Sequence, residues 1–96
     1  MDLALAGRIL ELVAAIPPGR VSTYGDLAAK AGSRSPRFAG RVLADLSDET
    51  TPWYRVVRAD GTSAPQVAAR QAELLAREGV PVVNGRVDLR RYRWTE

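Results

Sequence analysis

Ser22-Thr23-Tyr24-Gly25-Asp26-Leu27-Ala28-Ala29-Lys30-Ala31-Gly32-Ser33-Arg34-Ser35-Pro36-Arg37-Phe38-Ala39-Gly40-Arg41-Val42-Leu43 contains two helix starts with one helix stop between them. Thr23, with the acid Asp26 three residues on, has the form of a capping box, and Ser22 competes for the cap position. Leu27, Ala28 and Ala31 make a short apolar face, which Gly32 closes. Ser35-Pro36 then opens a second helix, with serine at the cap and proline at the first helical position. Its core face is Phe38, Ala39, Val42, Leu43 and Leu46. Two short helices joined by a tight turn after a glycine form a helix-turn-helix candidate. Arg37 and Arg41 are four apart on the second helix, and if the helical phase begins early enough Arg34 joins them on one side, away from Phe38 and Val42. Such a stripe suits docking on DNA, and it is also the ordinary appearance of a solvated helix face.

Upstream, residues 2–16 read as a first helix. Asp2 caps it, and Leu5, Ile9, Leu12, Val13 and Ile16 share one face. Pro17-Pro18-Gly19 ends it, and Arg20-Val21 is a short extended piece. Downstream, Ser47 to Thr51 is a polar, acidic loop. Pro52-Trp53-Tyr54-Arg55-Val56-Val57 follows, placing two of the six aromatic residues between a rigid proline and a buried strand. Rings so held can wall a site for something flat, although core packing is their commoner fate. Asp60-Gly61 is a turn, and Gly61 to Ala64 a loop of small residues. Pro65 is expected to start a last helix through Val67, Ala68, Gln71, Ala72, Leu74 and Leu75, ended by Gly79. Val80–Val83, Asn84-Gly85 and Arg86–Leu89 read as a β-hairpin. The tail Arg90-Arg91-Tyr92-Arg93-Trp94 alternates cations with aromatics, which suits either contact with nucleic acid or a packed last strand. Packing is favoured for Tyr92 and Trp94.

The 96 residues suffice for one small domain with one core. Cysteine and histidine are both absent. Their absence excludes a disulfide framework, a zinc finger, a cysteine nucleophile and a Ser-His triad. Acid-base chemistry near neutral pH would then need a strongly shifted carboxylate or lysine, so composition leans against an enzyme. No metal site and no cofactor are expected. No apolar run is long enough to span a membrane and no signal peptide opens the chain, so a cytoplasmic location is the default. The net charge is +3, and of 14 basic residues only Lys30 is not arginine. Arginine forks onto phosphates and stacks on bases, but an arginine-rich coding bias produces the same excess.

The run Ile16-Pro17-Pro18-Gly19-Arg20-Val21-Ser22-Thr23-Tyr24-Gly25-Asp26-Leu27-Ala28 resembles the start of the DNA-binding domain of O6-alkylguanine-DNA alkyltransferases. Arg37 to Leu43 is similar to that family's recognition-helix signature. Pro52 to Val57 sits where the family has Pro-Cys-His-Arg-Val, and Gln71 to Gly79 resembles its closing helix. The likeness spans residues 3–94 and leaves out the amino-terminal domain of many full-length members. Tryptophan in place of the acceptor cysteine points to the alkyltransferase-like branch, which resembles the repair enzymes without transferring the alkyl group.

The resemblance implies a mainly α fold with small β elements, a winged-helix-like helix-turn-helix domain of the alkyltransferase carboxy-terminal type, with residues 1–96 as a single DNA-binding domain. It implies non-catalytic recognition of O6-alkylguanine in double-stranded DNA by nucleotide flipping, flagging the lesion for nucleotide excision repair proteins. A monomer, cytoplasmic and nucleoid-associated, is expected. Tyr24 matches the residue that presses on the phosphate beside the flipped nucleotide, and Arg37 the arginine finger that fills the gap in the stack. Trp53 is expected to line the lesion pocket with Tyr24, Tyr54, Thr62 and Ser63. Ser22, Thr23, Arg34, Ser35, Gly40 and Arg41 are the expected DNA-binding positions, Gly40 because a small residue there admits the backbone closely. Arg55 matches an arginine of structural role. Tyr54 stands where such proteins commonly keep histidine, and with no thiol to activate it takes no such role. The alternative from another class is a sequence-specific helix-turn-helix transcriptional regulator. A third, glycosylase chemistry, would need Asp45, Asp48 or Glu49 beside the pocket rather than in a solvated turn.

Overall fold

The computed structural model describes residues 1–95. The element order is α1 (Leu3–Ala15), β1 (Ser22–Thr23), α2 (Tyr24–Ala31), α3 (Pro36–Leu46), a 3₁₀ turn (Trp53–Arg55), β2 (Val56–Val57), α4 (Ala68–Arg77) and α5 (Leu89–Tyr92). The three expected caps are made. The Leu5 amide donates to Asp2 Oδ1 at 3.0 Å, the Asp26 amide to Thr23 Oγ1 at 3.1 Å, and the Phe38 amide to Ser35 Oγ at 3.2 Å. Gly32 ends α2 in the left-handed region at φ 87°, which is nearly free of cost only for glycine.

β1 and β2 pair in parallel, with Ser22 opposite Val56 and Thr23 opposite Val57. This small sheet lies between two apolar clusters. Ile9, Val13, Ile16, Leu27, Ala39, Val42 and Val56 make the first, joining α1, α2 and α3. Val21, Val57, Leu75, Val80 and Val87 make the second, under α4 and the carboxy-terminal segment. Alternation along β2 sends Val56 to one cluster and Val57 to the other. Among the described residues no helix is long and apolar enough to cross a membrane.

Four expectations need correction. Leu46, read as core, is 40% exposed at the end of α3. The last long helix starts at Ala68 rather than Pro65, because Pro65–Val67 form a turn in which Val67 has ψ 0° and gives no side-chain cap. The hairpin keeps its turn, with Asn84 and Gly85 both at positive φ and Val83 bridged to Arg86. Its ladder does not extend, since the next amide required would come from Pro81, which has none. The tail packs as expected but first makes the short α5. Trp94 then donates its amide to the Val21 carbonyl at 2.7 Å, and the Val21 amide donates to Tyr92 at 2.9 Å.

The tail is tied down by side chains as well. Arg93 binds the Asp26 carboxylate through two nitrogens at 2.7 and 2.8 Å, and Lys30 Nζ lies 4.0 Å from the centre of the Trp94 ring. The carboxylate of the sequence's capping box therefore holds the far end of the chain against α2.

Candidate nucleic-acid interface

Tyr24 is the first residue of α2, set by the end of β1 and by the Thr23 cap. Its ring faces Gly40 in the middle of α3. A Cβ at Gly40 would stand 3.8 Å from the ring, an ordinary contact. Trp53 leads the 3₁₀ turn, whose entry is fixed by Pro52 and by the Trp53 amide donating to the Thr51 carbonyl at 2.8 Å. Between these residues opens a cavity of about 350 Å³. Tyr24, Trp53 and the α3 residues Gly40, Leu43 and Ala44 line it, with Ser47 after the helix and Ala64, Gln66 and Val67 from the following loop. Its walls are mainly apolar and include an indole and a phenol. That arrangement fits a flat heteroaromatic ring better than an extended polar chain. A second cavity, of about 380 Å³, shares no residue with it and lies between Pro81 and Tyr92.

Burial raises the pKa of the Tyr24 hydroxyl, with the nearby Arg58 charge pulling the other way. The phenol is therefore protonated at neutral pH and able to donate. Arg37 is exposed in the first turn of α3, and Arg34 is exposed in the turn before the Ser35 cap rather than on the helix; among the described residues neither is ion-paired. Arg41 is also exposed, 3.6 Å from Asp45 one turn on. Arg37, Gly40, Arg41 and Ala44 follow helical spacing along one face, so the arginines flank the small residues rather than cover them.

Several expected site residues lie elsewhere. Tyr54 packs edge-on against Trp53, ring centres 5.9 Å apart, and sends its hydroxyl to the Glu78 carboxylate at 2.8 Å. It belongs to the supporting side of the 3₁₀ turn and does not line the cavity. Thr62 and Ser63 do not line it either; the Thr62 amide and hydroxyl both bind Asp60 Oδ1. Ser22 and Thr23, expected at the DNA, are buried, and the Thr23 hydroxyl is committed to its cap. Ser35 remains exposed at the start of α3. Ser47, Ala64, Gln66 and Val67 were missed. Their place depends on how the two loops fold over the cavity, for which spacing offers no signal.

Behind the 3₁₀ turn, Arg55 binds Glu78 through Nε at 2.9 Å and Nη2 at 2.6 Å, and donates from Nη1 to the Ile16 carbonyl at 2.9 Å. The Gly19 amide donates to the same carboxylate at 3.3 Å. Burial pushes the Glu78 pKa up, but the hydrogen bonds from Arg55, Tyr54 and Gly19 outweigh it and hold the group below its ordinary value. The end of α1, the turn after it, the 3₁₀ turn and the end of α4 meet at this one carboxylate.

Residues 4–80 match the family model described as 6-O-methylguanine DNA methyltransferase, DNA binding domain. The chain belongs to this family. Within the methyltransferase DNA-binding-domain family, it is 48% identical over 93 residues to a DNA base-flipping protein of Escherichia coli, covering 91% of this chain and 71% of that one. It is 35% identical over 98 residues to alkyltransferase-like protein 1 of Schizosaccharomyces pombe, covering 91% of each. The crystal structure of S. pombe Atl1 in complex with damaged DNA containing O6-carboxymethylguanine superposes with a TM-score of 0.90 at 31% identity, over 100% of this chain and 98% of that one. This member of the methyltransferase DNA-binding-domain family has no cysteine anywhere, so its cavity offers no acceptor thiol.

Proposed function

We propose that this protein recognises O6-alkylguanine in double-stranded DNA by rotating the damaged nucleotide into the Tyr24–Trp53 cavity, without removing the alkyl group. The observation that carries this reading is the indole of Trp53 in the wall of an aromatic cavity beside the recognition helix, in a chain with no cysteine. Taking a base out of the stack costs a few kcal/mol. Arg34 and Arg41 offset part of this through phosphate contacts that ignore sequence, and Arg37 enters the vacated space in the stack. Stacking on Trp53 adds ~1–3 kcal/mol, and an O-alkyl group prefers the apolar wall to water. Alkylated and unmodified guanine share the backbone terms, so selectivity resides in the cavity.

Alkyl transfer by the family's thiol route has no acceptor here. The protein's part is then to mark the lesion, held flipped and exposed, for excision of the strand by nucleotide excision repair proteins. Its place of action is where the DNA is, at the nucleoid within the cytoplasm. The regulator reading is set aside: relatives along nearly the whole chain are named for base flipping and for likeness to alkyltransferases.

Titration of a duplex carrying one O6-methylguanine against its unmodified twin at one salt concentration tests the proposal. Preference for the lesion with an unchanged protein mass and intact O6-methylguanine supports it. Equal affinities, or a methylated protein, defeat it.

A further inference from the structure

Arg58 lies outside the recognition helix, yet it stands beside Tyr24. The parallel register pairs Thr23 with Val57, so Tyr24 and Arg58 each follow directly on the last paired residues, Tyr24 as the first residue of α2 and Arg58 just past β2. The Arg58 charge is felt at the Tyr24 hydroxyl. Its backbone is pinned: the Arg58 amide donates to the Thr62 carbonyl at 2.9 Å, and the Gly61 amide returns to the Arg58 carbonyl at 2.8 Å. Gly61 completes that turn at φ 85°, packed so closely on Val87 that a Cβ there would collide with the Val87 carbonyl. The side chain is nevertheless exposed, and among the described residues no carboxylate pairs with it. The nearest acid in sequence, Asp60, is engaged by the Thr62 amide at 3.0 Å and hydroxyl at 2.6 Å, and Arg86 is the cation it senses.

A guanidinium carried on a fixed backbone and without a counter-ion, next to a phenol able to donate, is the donor set that a phosphodiester oxyanion requires. We infer that Arg58 and Tyr24 together bind one backbone phosphate at the mouth of the cavity, the one flanking the nucleotide that enters it. This rests on the base-flipping reading. Unlike the α3 arginines, Arg58 reaches a phosphate only when a nucleotide has been brought to Tyr24, so it favours the flipped state over the stacked one.

The experiment is a cycle between protein and DNA. Wild type and Arg58→Ala are titrated against a duplex with a central O6-methylguanine. They are titrated again on duplexes in which a single linkage flanking the lesion is replaced by an uncharged methylphosphonate. Wild type is expected to lose about ten- to 150-fold in affinity at one of these linkages, the worth of one charge-assisted hydrogen bond. Arg58→Ala is expected to lose most of that factor on the ordinary lesion duplex and to respond less than wild type when that linkage is neutralised, since only Tyr24 then meets the phosphate. Its salt slope falls by about 0.9. Arg41→Ala, by contrast, binds more weakly but keeps its full response to the neutral linkage. Arg58→Gln repeats the cycle with the side-chain stem retained, and an unchanged melting temperature separates lost binding from lost folding. Wild-type affinity in Arg58→Ala, or losses that multiply at every flanking linkage, overturn the inference. If wild type itself shows no preference for the lesion, the base-flipping reading fails instead.

Discussion

Replacing Gly40 with alanine should strengthen the fold and weaken lesion binding in the same molecule. Gly40 is the fifth of the eleven residues of α3, with no positive φ, and the added methyl meets only the Tyr24 ring at 3.8 Å. Nothing has to move, so the substitution gains the usual helix-interior difference of about 0.5–1 kcal/mol. In a domain of this size that corresponds to a melting temperature higher by about 2–8 °C. The same methyl projects from a residue that lines the cavity, on the face shared with Arg37 and Arg41. Filling space that a base or backbone must occupy costs about 1–3 kcal/mol, roughly five- to 150-fold in affinity. Thermal unfolding followed by circular dichroism reads the first effect. Fluorescence anisotropy on an O6-methylguanine duplex at fixed salt reads the second. A lower melting temperature would show that α3 is more tightly packed there than the Tyr24 distance implies. Lesion affinity within twofold of wild type would refute the placement of the nucleotide against Gly40.

Trp53→Ala is expected to remove ~1–3 kcal/mol from binding to the lesion duplex while leaving the unmodified duplex nearly unaffected; parallel titrations measure this, and equal losses refute the pocket assignment. Arg37→Ala should lower the fluorescence of a 2-aminopurine placed at the flipped position, since the stack can close again; an unchanged signal with weaker binding would make Arg37 a plain phosphate contact. Glu78→Gln should destabilise the fold by about 2–3 kcal/mol in denaturant unfolding, because Arg55 and Glu78 are each only 13% exposed. Glu78 and Asp26 are both held below their ordinary pKa, Asp26 chiefly by Arg93. Their stabilisation is therefore present above the unfolded carboxylate pKa of about 4 and is lost as pH falls through the folded values. Unfolding midpoints measured from pH 7 down to pH 3 should fall most steeply at the acid end, and Glu78→Gln should flatten that fall.

Local chemistry explains which parts of the fold were legible. Asp2, Thr23 and Ser35 cap helices through bonds spanning three residues, so their spacing displays them directly. Pro81 stops the hairpin ladder for an equally local reason, but the strong Asn84-Gly85 turn masks it in a reading by composition. What joins distant segments was not legible. Arg55 and Glu78 are 23 residues apart, and Asp26 and Arg93 67 apart; only the folded chain brings each carboxylate to its arginine. The site divides in the same way. Of the residues that line the cavity, Tyr24, Gly40 and Trp53 lie in motifs that the sequence displays, whereas Ser47, Ala64, Gln66 and Val67 reach it from loops whose paths follow no period. Ser22 and Thr23 show the converse error: position beside a DNA-binding helix does not bring a side chain to the surface when it lies on a strand between two cores.

The 3₁₀ turn explains how the fold holds a site that has no cysteine. Consecutive residues of a turn this tight point in different directions, so Trp53 faces the cavity while Tyr54 and Arg55 face Glu78. The supporting side needs a hydroxyl and a guanidinium for one carboxylate, and both are present with short bonds. It needs no imidazole, because no thiol stands in front to be activated. The binding side needs a rigid flat surface, and its rigidity comes from the polar node behind it rather than from contacts within the cavity. Loosening that node should therefore weaken lesion selectivity even though none of its residues touches the base. Glu78→Gln tests this at a temperature where it remains folded: its lesion affinity should fall while its affinity for unmodified DNA holds. Unchanged selectivity would mean that Pro52 and the core beneath Val56 suffice to hold the indole in place.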